Sequence, residues 1–237
     1  MGRFPNIAAS KAKTGAAKAK VYSSYAKEIY SVAKQGGTDP NGNLSLRHLI
    51  EKAKKEQVPA DVIKRAIDKV NSGVDESYTS VRYEGFASGG ATVIVDCLTD
   101  NVNRSVSMVR NAFTKSNGKM GVSGCVSHMY EHLSVVIVKD MNEDEVLEAL
   151  LMGEVDAKEI EEENGSVSIY GEPADLYKIK DAIVNVKPNV EFIVDEVTML
   201  SNETVTLEGE DKENFEKLLS MLDEVEDVQK VYHNVTL

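Results

Sequence analysis

The chain has 237 residues and a formal net charge of −12, with 27 Lys and Arg against 39 Asp and Glu. This length favours two or three domains of about 70–100 residues each. Its apolar runs are too short for a membrane span, and its first residues lack the apolar core of a secretory signal. We therefore expect a cytoplasmic protein without membrane contact, in which both cysteines are reduced.

Charge is unevenly distributed along the chain. Residues 1–72 carry 14 Lys and Arg but 6 Asp and Glu, and residues 73–128 carry 5 of each kind. Residues 129–237 carry 8 basic and 28 acidic side chains. Such segregation is typical of a protein with one polyanion-binding end and another end that solubilises it or binds a partner.

The first long element is predicted to be a basic helix from about Ala12 to Lys34, because Ala and Lys favour helix. An apolar stripe that contains Tyr22 and Ile29 marks its packed side. Four lysines recur every seven residues: Lys13, Lys20, Lys27 and Lys34. This spacing places them on the side opposite the apolar stripe, so we expect them to form an exposed cationic stripe.

Two shorter helices are predicted next. A Gly- and Pro-containing loop at residues 36–42 separates the basic helix from an amphipathic segment at residues 46–53. Pro59 is suited to the first turn of a third helix, which extends to about Asn71. We expect residues 1–74 to form a three-helix domain.

The middle of the chain begins with a predicted β-hairpin, formed by residues 81–86 and 91–98 around a Gly-rich turn. A helix follows, with Asn101 or Asn103 as the candidate N-cap. The segment Cys125–Tyr130 is predicted to be a further strand. These elements amount to only part of a sheet domain.

Residues 133–195 show the order strand, helix, strand, strand, helix, strand, which is that of a ferredoxin-like domain. The final residues add a helix and a last strand. The predicted fold class is therefore α+β: an N-terminal three-helix domain followed by two ferredoxin-like α/β domains. We expect residues 75–131 and 197–237 to form a discontinuous middle domain, with the acidic domain, residues 132–196, inserted into it.

Several motifs in order carry a family resemblance: RYEGF, IVDCLTDNVNR, VRNAF, SNGKMGVSGCVSHM and DVQKVYHNV. Together they resemble the YebC family (YebC/PmpR-type regulatory proteins), and the MGR start resembles its YeeN-like branch. The resemblance implies a helical first domain and two α/β domains. It also implies either a DNA-binding transcriptional regulator or a translation factor that acts on the ribosome. The family pattern usually has Trp before Ala-Asn-Ile, whereas this chain has Phe4-Pro5-Asn6-Ile7 and no Trp.

Contact with nucleic acid is expected from basic residues of the N-terminal segment and of the middle domain. The candidates are Arg3, Lys11, Lys13, Lys18, Lys20, Lys27, Lys34, Arg104, Arg110, Lys115 and Lys119. A charge run is more often only a solvated surface. Here Glu28 is the one acid among the first 35 residues, so the usual balancing partners are missing nearby.

Two patterns suggest catalysis, but simpler roles account for both. His128, Glu131 and His132 match the zincin spacing H-x-x-E-H, yet they lie in a predicted strand, where residues four apart are about 13 Å distant. Three carboxylates, Glu84, Asp96 and Asp100, are better explained by strand-end and turn roles than as paired acid–base groups. We therefore expect no catalytic residue, no metal site and no cofactor.

The leading hypothesis is a non-enzymatic nucleic-acid-binding regulator of gene expression. Its target is DNA, as in transcriptional regulation, or ribosomal RNA, with the ribosome as partner in translation. An acidic body favours a structured RNA over a long bare duplex. The alternative is a protein-binding adaptor whose acidic α/β domain docks a basic partner, and an enzyme ranks third.

Overall fold

The structure, a computed structural model, describes residues 15–73 and 75–236, with side chains described from residue 18 onward. Contacts divide these residues into two compact units. The larger unit contains residues 15–126 and 207–232, and the smaller unit contains residues 127–206 and 233–236. Among the described helices, none has both the length and the apolarity needed to cross a membrane.

The larger unit begins with three helices: α1 (Gly15–Gly36), α2 (Leu44–Lys55) and α3 (Ala60–Asn71). Asn43 caps α2, since its side chain accepts a hydrogen bond of 3.0 Å from the Leu46 amide. Pro59 immediately precedes α3, where no backbone donor is needed. The helices pack around a shared apolar core formed by Ile29, Ala33, Leu46, Ala53, Val58, Ile63 and Ala66.

The rest of the larger unit is a four-stranded sheet with two helices. Its elements are β1 (Thr79–Phe86), β2 (Thr92–Thr99), α4 (Val102–Lys115), β3 (Lys119–Met120), α7 (Gly209–Asp223) and β9 (Val228–His233). The strand order is β3-β1-β2-β9. The strand that borders β2 thus comes from the end of the chain, more than a hundred residues later in the sequence.

The smaller unit is a second antiparallel sheet. Its elements are β4 (Tyr130–Lys139), α5 (Glu143–Met152), β5 (Glu159–Glu163), β6 (Ser166–Gly171), α6 (Leu176–Val186) and β7 (Phe192–Ser201). The order β5-β6-β4-β7, with all neighbours antiparallel, is the ferredoxin-like arrangement. The short strands β8 (Val205–Thr206) and β10 (Val235–Thr236) pair in parallel beside it.

Alternation along β4 explains its central position in this sheet. Val136 and Val138 belong to the core shared with α5 and α6, whereas Val135 and Ile137 belong to an apolar cluster on the opposite face. Successive side chains of a strand point to opposite faces, so a central strand is apolar throughout. The hairpin between β5 and β6 turns at Asn164–Gly165, where both φ angles are positive (52° and 75°).

The predicted fold class is confirmed, including the helical first domain, the α/β character of the rest and the hairpin of β1 and β2. Asn101, not Asn103, caps α4. The prediction of a strand at Cys125–Tyr130 is wrong. Residues 127–129 form a short 3₁₀ turn, and the strand begins at Tyr130. The domain boundaries predicted from the sequence stay a prediction.

One buried carboxylate joins the helices of the larger unit to its sheet. Asp227, in the turn between α7 and β9, has a side chain that is only 2% exposed. It accepts hydrogen bonds from Thr99 Oγ1 (3.0 Å), Ser105 Oγ (2.9 Å) and Arg104 Nη2 (2.8 Å), and it pairs with Lys27 Nζ at 3.2 Å. Asp227 therefore connects β2, the first turn of α4, and α1.

Those donors also decide the charge state of Asp227. Burial by itself raises the pKa of this carboxyl, but the hydrogen bonds from Arg104, Ser105, Lys27 and Thr99 outweigh burial and hold the pKa below its ordinary value. The group stays ionised at neutral pH, where it is fully compensated.

Replacement of this carboxylate should be strongly destabilising. For Asp227→Asn we expect the free energy of unfolding to fall by about 3 kcal/mol, because Lys27, whose side chain is only 11% exposed, loses its buried counter-charge. A lowered pKa contributes stability above the pKa of an unfolded Asp, about 4, and loses it as the pH falls through the folded value. The difference between wild type and variant in urea denaturation should therefore shrink below about pH 4. The exposed neighbour in Glu226→Gln is the control, and an equal effect of both would contradict the prediction.

Candidate nucleic-acid interface

Three of the predicted lysines on α1 are occupied by acidic partners. Lys20 donates to the Asp223 carbonyl at 2.7 Å and pairs with its carboxylate at 3.2 Å. Lys27 pairs with Asp227 and, at 3.5 Å, with Glu226. Lys34 pairs with Asp75 at 2.5 Å. The expectation that these lysines form an unpaired, solvent-facing stripe is wrong.

The reason lies on the same face of α1. Between the lysines, Ser23 Oγ donates to Glu226 Oε1 at 3.2 Å and Ser24 Oγ donates to Gln229. The lysine face of α1 therefore lies against the turn that follows α7, while its apolar face packs on α2 and α3. Around Lys20 and Lys27 the lysine face is thus covered by residues about 200 positions later in the sequence.

Arg104 is also paired. Besides Asp227, its guanidinium contacts Asp100 at 2.7 Å, one helical turn earlier. Lys18 is exposed, whereas Arg3, Lys11 and Lys13 lie outside the described residues. Paired or not, the contribution of these residues to nucleic-acid binding stays a prediction.

A second group of predicted cations differs from the first in having exposed side chains without ion pairs among the described residues. Arg110, Lys115 and Lys119 are exposed, and within the described part of the chain no ion pair engages their side chains. Arg110 and Lys115 lie in the last half of α4, and Lys119 begins β3 only four residues further on. From Val102 to Val126 the sequence contains no Asp or Glu, although the whole chain has 39. We call the exposed part of this run that contains Arg110, Lys115 and Lys119 the acid-free face.

An aromatic ring lies beside these cations. In the antiparallel pairing of β1 with β3, Phe86 is directly opposite Lys119. Opposed residues of antiparallel strands lie on the same face of the sheet, with their side chains close together. The Phe86 ring is 41% exposed despite its apolar character. A cation beside an exposed ring is the arrangement that contacts a phosphate and stacks on an unpaired base.

The loop that follows β3 is fixed by a buried carboxylate. Glu84 is 3% exposed and accepts the amide of Gly124 at 2.9 Å and the amide of Val126 at 2.8 Å. The amide of Gly121 donates to the Glu84 carbonyl at 2.8 Å. Val122, at the tip, is 78% exposed. The loop thus presents an apolar tip from a preorganised backbone.

Glycine allows the close packing beneath this surface. A Cβ at Gly85 would lie 2.7 Å from both the Lys119 carbonyl oxygen and the Phe113 ring. Because β3 approaches β1 this closely, Lys119 and Phe86 are held in register at the end of α4.

Sequence analysis identified the cations but missed Phe86, Val122 and the role of Glu84. The acid-free run was the signal that could have indicated this surface.

A cleft of about 390 Å³ lies elsewhere on the larger unit, between α1 and the sheet. Its lining includes Glu28, Lys230 and Cys97, together with Arg82, whose guanidinium forms a two-bond pair with Asp96. Burial raises the pKa of Glu28, and it raises the pKa of the Cys97 thiol to about 12. A thiol with that pKa stays protonated at neutral pH, which is unlike a thiolate nucleophile.

The zincin-like motif is divided between two kinds of backbone. His128 lies in the 3₁₀ turn, and His132 lies in β4. No group of three or more His, Cys, Asp or Glu side chains with metal-binding geometry occurs among residues 18–73 and 75–236.

Fold and surface together define the class: an α+β protein with a helical N-terminal part, two antiparallel α/β sheets, and a cationic face beside an exposed aromatic ring. The profile of the TACO1/YebC N-terminal domain matches residues 2–73, and that of the TACO1/YebC second and third domain matches residues 78–235. The chain belongs to the TACO1/YebC family, as the sequence motifs predicted.

Similar proteins extend over the full length of the chain. A probable transcriptional regulatory protein of Pseudoalteromonas atlantica is 50% identical, with 100% of this chain and 98% of the relative covered. A protein of the same description from Vibrio cholerae is 49% identical, with both chains fully covered. The crystal structure of a conserved hypothetical protein from Aquifex aeolicus matches with a TM-score of 0.79 at 35% identity, and covers 99% of this chain and 96% of that one.

The role of Glu84 can be tested by hydrogen exchange. In Glu84→Gln a single amide oxygen replaces the two carboxylate oxygens, so Gly124 or Val126 loses its acceptor. An unsatisfied buried group costs about 1–3 kcal/mol, so exchange of these two amides should accelerate about 10- to 100-fold. The matched control, Asp96→Asn, removes a carboxylate from neighbouring β2 and should leave them protected. Unchanged protection in Glu84→Gln would refute the assigned role.

Proposed function

We propose that this protein is a nucleic-acid-binding regulator of gene expression that contacts a structured RNA through the acid-free face. The observation that carries the proposal is the juxtaposition of Phe86 and Lys119, with the exposed Arg110 and Lys115 in the same acid-free run of sequence. The names of the relatives support a regulatory role. Ribosomal RNA is the proposed target, since it offers unpaired bases within a folded scaffold.

Two physical arguments favour RNA. Unpaired bases in loops and bulges stack on exposed aromatic rings, whereas the bases of an intact duplex are already stacked. In addition, residues 129–237 carry 28 acids against 8 basic side chains, so a long polyanion running past both units would be repelled. A compact target that meets only the cationic face avoids this repulsion.

Duplex DNA is the second candidate, and one observation favours it. The outward side of α4 carries polar side chains at helical spacing, namely Asn103, Ser107, Arg110, Asn111 and Thr114, all exposed. A helix with such a face can enter the major groove and contact base edges. In that case α4, not Phe86, would carry the specificity.

The proposal is tested by comparing two sets of variants on two probes, a stem-loop RNA with unpaired purines and a duplex DNA of equal length. Arg110→Ala, Lys115→Ala and Lys119→Ala together should weaken RNA binding and reduce the salt slope by about 2, at about 0.7 per phosphate contact. Phe86→Ala should cost about 1–3 kcal/mol on RNA and nothing on DNA. Fluorescence anisotropy at several salt concentrations measures both effects.

The matched control replaces three lysines that each pair with an acid. The substitutions are Lys158→Ala, Lys178→Ala and Lys212→Ala. These side chains pair with Glu172, Asp175 and Glu216. The net charge changes by the same amount, so an equal loss of affinity would show a general charge effect and sink the proposed interface. Loss on duplex DNA with no effect of Phe86→Ala would favour the second candidate. Crosslinking in cells, followed by sequencing of bound nucleic acid, then separates ribosomal RNA from promoter DNA.

We further propose that the lysines on α1 reach nucleic acid only when they leave their acidic partners. Asp223 and Glu226 are 62% and 72% exposed, and exposed ion pairs are worth about 0–1 kcal/mol each, so phosphates can replace them. Asp223→Ala with Glu226→Ala should therefore raise RNA affinity by up to about tenfold. The control Glu210→Ala with Glu213→Ala removes the same amount of charge from the first turns of α7. If both pairs of substitutions raise affinity equally, the α1 lysines have no special role.

A further inference from the structure

Helix α5 of the smaller unit carries exposed apolar side chains on its outward side, in addition to the buried ones on its inward side. Val146, Ala149 and Leu150 are buried in the core of the sheet. On the outward side, Leu147, Leu151 and Met152 are 46%, 70% and 72% exposed. Leu147 and Leu151 are four residues apart and share one face of the helix. These three residues are named here the α5 patch.

Acidic side chains surround the α5 patch. Residues 140–163 contain 11 Asp and Glu and a single basic residue, Lys158. Asp144 and Glu148 are exposed on α5, and Glu154 is exposed just beyond its end. No ion pair within the described residues engages these three acids. Acids in the first turn suit the helix dipole, but Glu148 and Glu154 lie too far along the helix for that explanation.

The patch is part of a rigid surface. At the start of α5, Asn142 and Glu145 form a capping box, with bonds of 2.9 and 3.0 Å. At its end, a Cβ on Gly153 would lie 2.6 Å from the Cβ of Ala182, so α5 and α6 are in close contact there. A helix fixed at both ends presents a preformed docking surface, which lowers the entropy cost of binding.

We propose that the α5 patch docks a basic amphipathic helix of a partner protein. The apolar side of that helix would cover Leu147, Leu151 and Met152, and its Lys and Arg side chains would pair with Asp144, Glu148 and Glu154. Helix recognition by an apolar surface with a charged rim is a recurrent binding mode. The inference concerns the smaller unit and does not depend on nucleic-acid binding by the acid-free face.

Charge complementarity argues against two other occupants. A second copy of this chain docked through the same patch would place equal acidic rims opposite one another, since a two-fold interface is self-complementary. A cytoplasmic leaflet carries anionic lipids, which acidic rims repel. A cationic, amphipathic protein segment meets both the apolar and the electrostatic requirement.

The test uses the full chain and an 18-residue peptide with leucines at helical spacing and lysines elsewhere, capped at both ends. A scrambled peptide of identical composition is the first control. Titration calorimetry at about 0.15 M salt should show the patterned peptide binding at least about tenfold more tightly than the scrambled one. Leu151→Ser with Met152→Ser should remove about tenfold or more of that affinity. Both side chains are exposed, so the core is unaffected, and circular dichroism confirms the fold.

Two further variants test whether binding is specific to the α5 patch and whether its acids contribute. Val122→Ser, at the most exposed apolar residue of the larger unit's loop, should leave peptide binding unchanged. Glu148→Gln with Glu154→Gln should weaken binding and flatten its salt dependence. Equal binding of the two peptides, or no effect of the serine substitutions, would overturn the proposal. So would light scattering that shows a dimer which the serine substitutions dissociate, because the occupant would then be a second copy.

Discussion

The ionised carboxylate of Asp227 is the constraint on which the larger unit depends. Its four donors come from α1, β2 and α4, which lie 122 to 200 residues earlier in the chain. A buried charge of this kind is tolerated only when its partners are complete, and the same requirement fixes where those partners lie. Removing the Asp227 carboxylate would leave Lys27 and Arg104 with only their exposed partners, Glu226 and Asp100, and α4 without this connection to the end of β2.

The pairing requirement also determines which cations are available for binding. A chain with 39 acids can neutralise most of its 27 basic residues, and the lysines on α1 and Arg104 are neutralised in this way. Arg110, Lys115 and Lys119 differ in that no ion pair within the described residues engages them, and Lys119 also lies opposite Phe86. Arg104 lies in the same acid-free run and is nevertheless paired, because its acidic partners Asp100 and Asp227 lie outside that run.

Much of the fold follows from local patterns in the sequence. Periodicity located the helices, the Asn-Gly turn marked the hairpin of β5 and β6, and alternation predicted the strands of the ferredoxin-like unit. The long-range contacts could not be predicted from the sequence, because nothing near Lys20 or Lys27 indicates that Asp223 and Asp227 lie beside them. For the same reason Cys125–Tyr130 was predicted as a strand: its apolar residues fit a strand, but Glu84 holds residues 124–126 in a loop from forty positions away.

The position of β9 has a consequence for synthesis of the protein. Because β2 acquires its neighbour only from residues 228–233, the first sheet keeps an unpaired edge until nearly the whole chain has left the ribosome. The ferredoxin-like sheet, by contrast, is built from the contiguous residues 130–201 and can be completed earlier. Asp223, Glu226 and Asp227 also emerge late, so Lys20 and Lys27 lack these acidic partners for most of translation. Truncation of the final ten residues, 228–237, would remove β9 and leave that edge of β2 permanently unpaired.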